Sequence, residues 1–107
     1  MYARIATAQI RPERLEAALA AGDTPNSERD AAMAQLAREP GFKGTQSFID
    51  RQTGKAMTIG LWESEATMQA SLPGHQARMA RAIEQGLYMA PPVVETYELM
   101  REVRPQD

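Results

Sequence analysis

One tryptophan, one histidine and two arginines are the side chains best suited to chemistry here: Trp62, His75, Arg78 and Arg81. An indole can stack on a planar ligand, or it can anchor a core by burying up to about 250 Å². His75 falls on a helical wheel with Met79, Ala82 and Ile83, so the periodicity places it on a buried face with Arg78 at the edge. Burial, the helix start expected just after Pro73-Gly74 and nearby Arg78 all disfavour the imidazolium. A neutral imidazole can accept a proton from a phenol, and the plainer role is a hydrogen-bonded core histidine. Arg78 would then steady the oxyanion, whereas Arg81 can pair with Glu84 or Gln85 on a solvated face.

Other chemistries lack their residues. The chain has no cysteine, hence no thiol nucleophile, disulfide or zinc–thiolate site. One histidine and scattered carboxylates make no metal-ligand set, so no metal is expected. Thr53-Gly54-Lys55 lacks the glycine spacing of a phosphate loop, and neither a dinucleotide fingerprint nor a nucleophile elbow is present. Reactivity would have to come largely from the substrate or from dioxygen.

The bulk properties narrow the partners. Net charge is −2 with acids and bases interspersed, which gives no footprint for nucleic acid or an anionic membrane. No apolar run approaches the roughly 20 residues that cross a bilayer, and the first residues lack a secretory h-region. A soluble, cytoplasmic protein is expected. With 107 residues, 43% hydrophobic and 24% charged, one globular domain spanning 1–107 is expected, with 104–107 as a frayed tail.

The positioning elements follow from pattern. Residues 2–10 read as a strand, and Pro12 can open a helix in which Leu15, Ala18 and Leu19 share a face and Gly22 is the stop. Thr24 and Pro25 suit the cap and first position of a second segment, with Met33, Leu36 and Ala37 as its buried stripe. Proline and glycine in REPGFKG end it, GTQSFID and AMTIGLW read as strands, and DRQTGK joins them as a hairpin turn. Ser64 caps EATMQASL, Pro73-Gly74 stops it, and HQARMARAIEQG ends at Gly86. VVETYELMREV is the longest strand candidate. The order is the ferredoxin-like β-α-β-β-α-β, an α+β fold with an antiparallel sheet and helices on one face.

Strand alternation puts Met57, Ile59 and Leu61 on one side and Ala56, Thr58, Gly60 and Trp62 on the other. The last strand likewise divides Val93, Tyr97, Leu99 and Val103 from Val94, Thr96 and Met100. One helical layer cannot bury both faces, so a two-fold homodimer with sheets face to face is expected. Beside Trp62 the neighbours are small, and a mid-strand glycine such as Gly60 marks close approach by a helix or a ligand. Met68 and Met79 can line an adaptable apolar cavity or fill the core.

EPGFKG before the second strand and LWESEAT at the end of the third carry a resemblance over the whole chain. The chain resembles the antibiotic biosynthesis monooxygenase-like family of dimeric α+β barrels. The resemblance implies a homodimer and a pocket beside the third-strand tryptophan. It also implies cofactor-independent, quinone-forming oxygenation of a small aromatic or phenolic molecule. Trp62, Thr58, Gly60, Met68 and Met79 would bind substrate, with His75 as base and Arg78 on the oxyanion. The family's cofactor-free oxygenases carry an asparagine about a turn of strand before the tryptophan, and a tyrosine and an arginine on the following helices, with Arg78 and Arg81 as candidates for the arginine. Thr58 stands at the first position, and no tyrosine lies between Trp62 and Pro73. The haem-degrading branch matches at Trp62 but carries a first-strand asparagine missing from Tyr2 to Ile10, and its histidine lies later on the last helix than His75. A non-catalytic dimeric module binding a small apolar ligand is therefore the alternative, and haem binding, with His75 alone as axial ligand, stands last.

Overall fold

In the computed structural model, which describes residues 1–23 and 27–106 and the side chains outside 21–28, the central strand is β1, Tyr2–Gln9. A 3-10 turn at Pro12–Arg14 leads into α1, Leu15–Asp23, and α2 spans Ser27–Ala37. Strands β2, Phe42–Ile49, and β3, Lys55–Trp62, form a hairpin. Helices α3, Glu65–Ala70, and α4, Leu72–Glu84, follow, and β4, Val93–Glu98, closes the order. The sheet runs β2-β3-β1-β4, antiparallel throughout, with β1 between β3 and β4. This is the expected ferredoxin-like α+β architecture.

Local chemistry explains the joints. Asp50 Oδ1 accepts from the backbone N–H of Gln52 at 2.9 Å and Thr53 at 3.2 Å, and Gly54 takes φ +78°, so DRQTGK turns as expected. Ser64 Oγ accepts from Thr67 N–H at 3.1 Å while Thr67 Oγ1 accepts from Ser64 N–H at 3.2 Å, a reciprocal capping box on α3. At the far end of α4, Gly86 takes φ +71°, its N–H reaches Ile83 carbonyl at 3.0 Å, and Leu87 N–H reaches Ala82 carbonyl at 3.2 Å. That pair of bonds is a Schellman stop.

Four expectations shift. Pro73-Gly74 does not separate α3 from α4; the break is Ser71, and Pro73 sits in the first turn of α4, where its missing N–H costs nothing. Met33 and Ala37 are exposed, and only Leu36 of that stripe is buried, because α2 reaches the core at its last turn. The last strand is six residues, not the longest: β4 pairs only with β1, Tyr2 already faces Glu98, and β1 offers no partner beyond it. After Leu99 N–H bonds Met1 carbonyl at 2.7 Å the ladder ends, and Met100 and Val103 lie exposed. Helix α1 also runs one residue past Gly22. The Thr24 cap and Pro25 lie outside the described residues.

Register sorts the sheet into two faces. Tyr2, Arg4 and Ala6 share a side with Trp62, Gly60 and Thr58, and Arg4 reaches the carbonyl of Met68 on α3, so this is the helix side. Ile5, Thr7, Met57, Ile59, Leu61, Val93 and Tyr97 occupy the other side. There Val93 is 61% and Phe48 54% exposed. No helix of the described residues is long and apolar enough to cross a membrane.

Candidate functional site

The side chains singled out in the sequence separate into two regions. The first is a packed knot. Trp62, at the end of β3, is only 2% exposed and packs with Leu36 and Met68, and Tyr2 and Phe42 lie against them. Phe42 meets the indole edge-on, with centroids 5.2 Å apart and planes at 65°. Gly60 lies against the indole, and a Cβ there would touch Trp62 Nε1 at an ordinary contact of 3.5 Å. Both stretches behind the family resemblance meet beside this knot. Glu63 N–H donates to Gly41 carbonyl at 2.7 Å, and a Cβ on Gly41 would fall 2.6 Å from Thr67 Oγ1. Gly41 also has φ +77°, so only glycine fits there without strain. Thr58 stands apart, exposed, with its hydroxyl 3.3 Å from that of Ser47 across the hairpin.

The second region is a cleft. Its volume is about 310 Å³, and His75, Met79 and Ile83 of α4 face Pro91, Pro92 and Val94 across it. Gln76 also lines it, and mostly apolar walls with a few polar groups are the usual make-up of a small-molecule site. The structure thus joins His75 and Met79 but gives this cleft no lining from Trp62, Thr58, Gly60 or Met68. Arg78 is half-buried on the adjoining side of α4, where a Cβ on Gly74 would lie 3.4 Å from its Nη1. A smaller hollow of about 230 Å³ lies beyond, between Glu39, Pro40 and the Thr67–Ser71 segment.

Electrostatics single out His75. Its pKa is lowered to about 4, first by burial, then by the positive charges of Arg4 and Arg78. The backbone N–H of His75 already bonds Ser71 carbonyl at 3.1 Å, so the imidazole stands past the free amides of the helix start. His75 Nε2 is buried without a hydrogen-bond partner among the described residues.

Arg4 was missed in the sequence. Although strongly basic, it is only 5% exposed and lies under the helices. Its Nη1 donates to Ser71 Oγ at 2.9 Å and its Nη2 to Met68 carbonyl at 2.6 Å, tying β1 to the α3–α4 break. Desolvation, then Arg78, lower its pKa, against a weaker opposite pull from Glu39. The signal was alternation: Arg4 shares parity with Tyr2 and Ala6, the residues opposite the Trp62 side of β3.

No family model and no curated protein matches the chain. Solved structures do. A protein of unknown function from Nitrosomonas europaea, NE2512, is 23% identical, with 99% of this chain and 95% of that one covered at a TM-score of 0.69. A monooxygenase from Streptomyces coelicolor, crystallised with the ligand nanaomycin D, is 16% identical over 98% of this chain and 92% of that one, at 0.68. A structure named antibiotic biosynthesis monooxygenase is 16% identical, with 94% and 100% covered, at 0.65. The chain shares their fold along nearly its whole length, as the resemblance implied.

Proposed function

We propose that this chain binds a small aromatic or phenolic molecule in the cleft between α4 and the Pro91–Val94 segment and oxidises it with dioxygen, without a cofactor. The observation that carries this reading is His75: a neutral imidazole on an apolar cleft, flanked by Arg4 and Arg78. Such surroundings favour a phenolate over a phenol, and a phenolate is the form that gives electrons to dioxygen. In the step, one oxygen atom replaces a ring hydrogen and becomes a quinone oxygen. The other leaves as water with that hydrogen and the phenolic proton, so one dioxygen is consumed per quinone. His75 takes the phenolic proton, Arg78 steadies the oxyanion, and Met79 supplies part of the apolar wall.

Oxygen uptake with a panel of hydroquinones and phenols tests it. His75→Ala should lower the rate by about 100-fold or more, the usual worth of a positioned base, while Glu16→Gln on the exposed side of α1 leaves it unchanged. No uptake from any member of the panel would sink the oxygenase reading.

One observation favours a second reading, a non-catalytic module that binds a small apolar ligand. A base of pKa about 4 is poorly matched to a phenol near neutral pH. Ligand binding without oxygen uptake would select it.

The open sheet face supports a homodimer. Phe48, Met57, Val93 and Tyr97 stand exposed on the side without helices, and a second copy of the same face would cover them. Light scattering on a size-exclusion column should return twice the mass of the 11.8 kDa chain, and a stable monomer would remove the dimer.

A further inference from the structure

A buried cation needs a counter-charge, and among the described residues Arg4 has only the weak pull of Glu39. Its two bonded acceptors, Ser71 Oγ and Met68 carbonyl, are neutral, and its Nε is buried with no hydrogen-bond partner among the described residues. Among the described residues Arg4 forms no ion pair. Burying a guanidinium is costly unless charge and hydrogen bonds compensate it. Three titratable groups stand around it, on two elements. Arg78 of α4 repels it, His75 of α4 stands neutral, and Glu39, in the turn after α2, pulls weakly in its favour. Glu39 Oε1 instead lies near Gly74, 3.5 Å from where a Cβ would be, on the side where Arg78 Nη1 also lies.

The second orphan lies one helical turn from Ser71. Among the described residues His75 Nε2 is buried without a partner, and His75 lines the cleft. Two unpartnered nitrogens belonging to neighbouring groups, in a field made positive by two arginines, have the chemistry of an anion receptor.

We propose an anion subsite behind the His75 wall of the α4 cleft, in which Arg4 Nε, which lies outside the cleft's lining, and His75 Nε2 take the oxyanion of a small aromatic ligand, a carboxylate or a phenolate. This rests on the cleft being the ligand site, not on its being oxidative. The ligand's ring lies along Met79 and Ile83. Leu72 and Met79, about one turn either side of His75 on the same wall, admit the oxyanion by changing rotamer. Arg4 is then both the tie between β1 and the α3–α4 break and the selector for charge.

The test compares two probes of one shape, 2-naphthoate and the uncharged 2-naphthamide, by calorimetry on the intact chain. Naphthoate should bind about tenfold or more tighter, as a charge-assisted pair requires. Arg4→Met should bring the two affinities to within about threefold of each other by weakening naphthoate alone. His75 provides a readout that needs no variant. Followed by NMR, its pKa should rise from about 4 with naphthoate and stay put with naphthamide, because a nearby anion favours the imidazolium.

Equal binding of the two probes by the wild-type chain, or no binding of either, overturns the proposal. So does a preference for naphthoate that survives in folded Arg4→Met. If Arg4→Met does not fold, the wild-type His75 titration decides: an equal response to both probes refutes the subsite, and a rise with naphthoate alone supports it. Naphthoate selectivity without any oxygen uptake leaves the subsite standing and removes only the oxygenase reading.

Discussion

The Trp62 knot and the His75 cleft lie on the same side of one sheet, and they are built on opposite terms. In the knot, apolar groups fill the space, an aromatic pair meets edge to face, and the adjoining capping box satisfies its own donors. Around the cleft, polar groups are buried with bonds left over and an apolar wall stands open. The knot spends its large side chains on filling its own space. The cleft keeps unspent hydrogen bonds beside unfilled volume, and each is costly unless something else uses it.

The sharpest way to break this contrast is Trp62→Ala. Removing a fully packed indole should cost about 3–5 kcal/mol in urea unfolding. A loss below about 1 kcal/mol, with ligand affinity falling instead, would make Trp62 a pocket wall and erase the distinction.

Acid should act next, and on the cleft side alone. His75 has a folded pKa of about 4, below its ordinary 6.5, so between those values the unfolded chain binds the extra proton. Its contribution is fully favourable above about pH 6.5 and is lost as pH falls towards 4. After allowance for partial exposure the loss is about 2 kcal/mol. Urea midpoints at pH 7 and pH 4 should diverge more in the wild type than in His75→Leu. Equal slopes would mean that the imidazole is not held neutral.

The junction beside the knot comes third. Ser64→Ala removes one half of the capping box and should lower stability by about 1 kcal/mol, with no change in naphthoate binding. Any loss of binding would tie α3 to the cleft. The smallest stability effect belongs to Ile83→Ala, since that side chain is 46% exposed. Unfolding should shift by no more than about 0.5 kcal/mol. Naphthoate and naphthamide should both weaken roughly fivefold, because the shorter side chain leaves less apolar wall for the ring to cover. A fall in stability with unchanged affinity would show Ile83 to be core.

Much of the fold was legible because short-range rules governed it. Asp50 to Lys55 turned as DRQTGK predicts, Ser64 capped α3, Gly86 stopped α4, and the parity of β3 sorted Met57, Ile59 and Leu61 from Thr58, Gly60 and Trp62. Errors fell where a partner set the outcome. Pro73 joined a helix because Ser71 had already made the break, and β4 stopped at Glu98 because β1 began at Tyr2. Met33 lost its place in the core because only the last turn of α2 reaches it.

The candidate site divides in the same way. Periodicity in the sequence determined that His75, Met79 and Ile83 share a face of α4, and the lack of cysteine ruled out thiol chemistry. Sequence also placed the indole at the end of β3. Only the tertiary structure decided that Trp62 is packed shut by Leu36, Met68 and Phe42, and that the cleft lies against Pro91, Pro92 and Val94 instead. It alone brought Arg4, 71 residues before His75, within electrostatic reach of that imidazole. The reason is range: turns, caps and strand parity are set by neighbours along the chain, whereas burial and the field at a nitrogen are set by whatever the fold brings beside it.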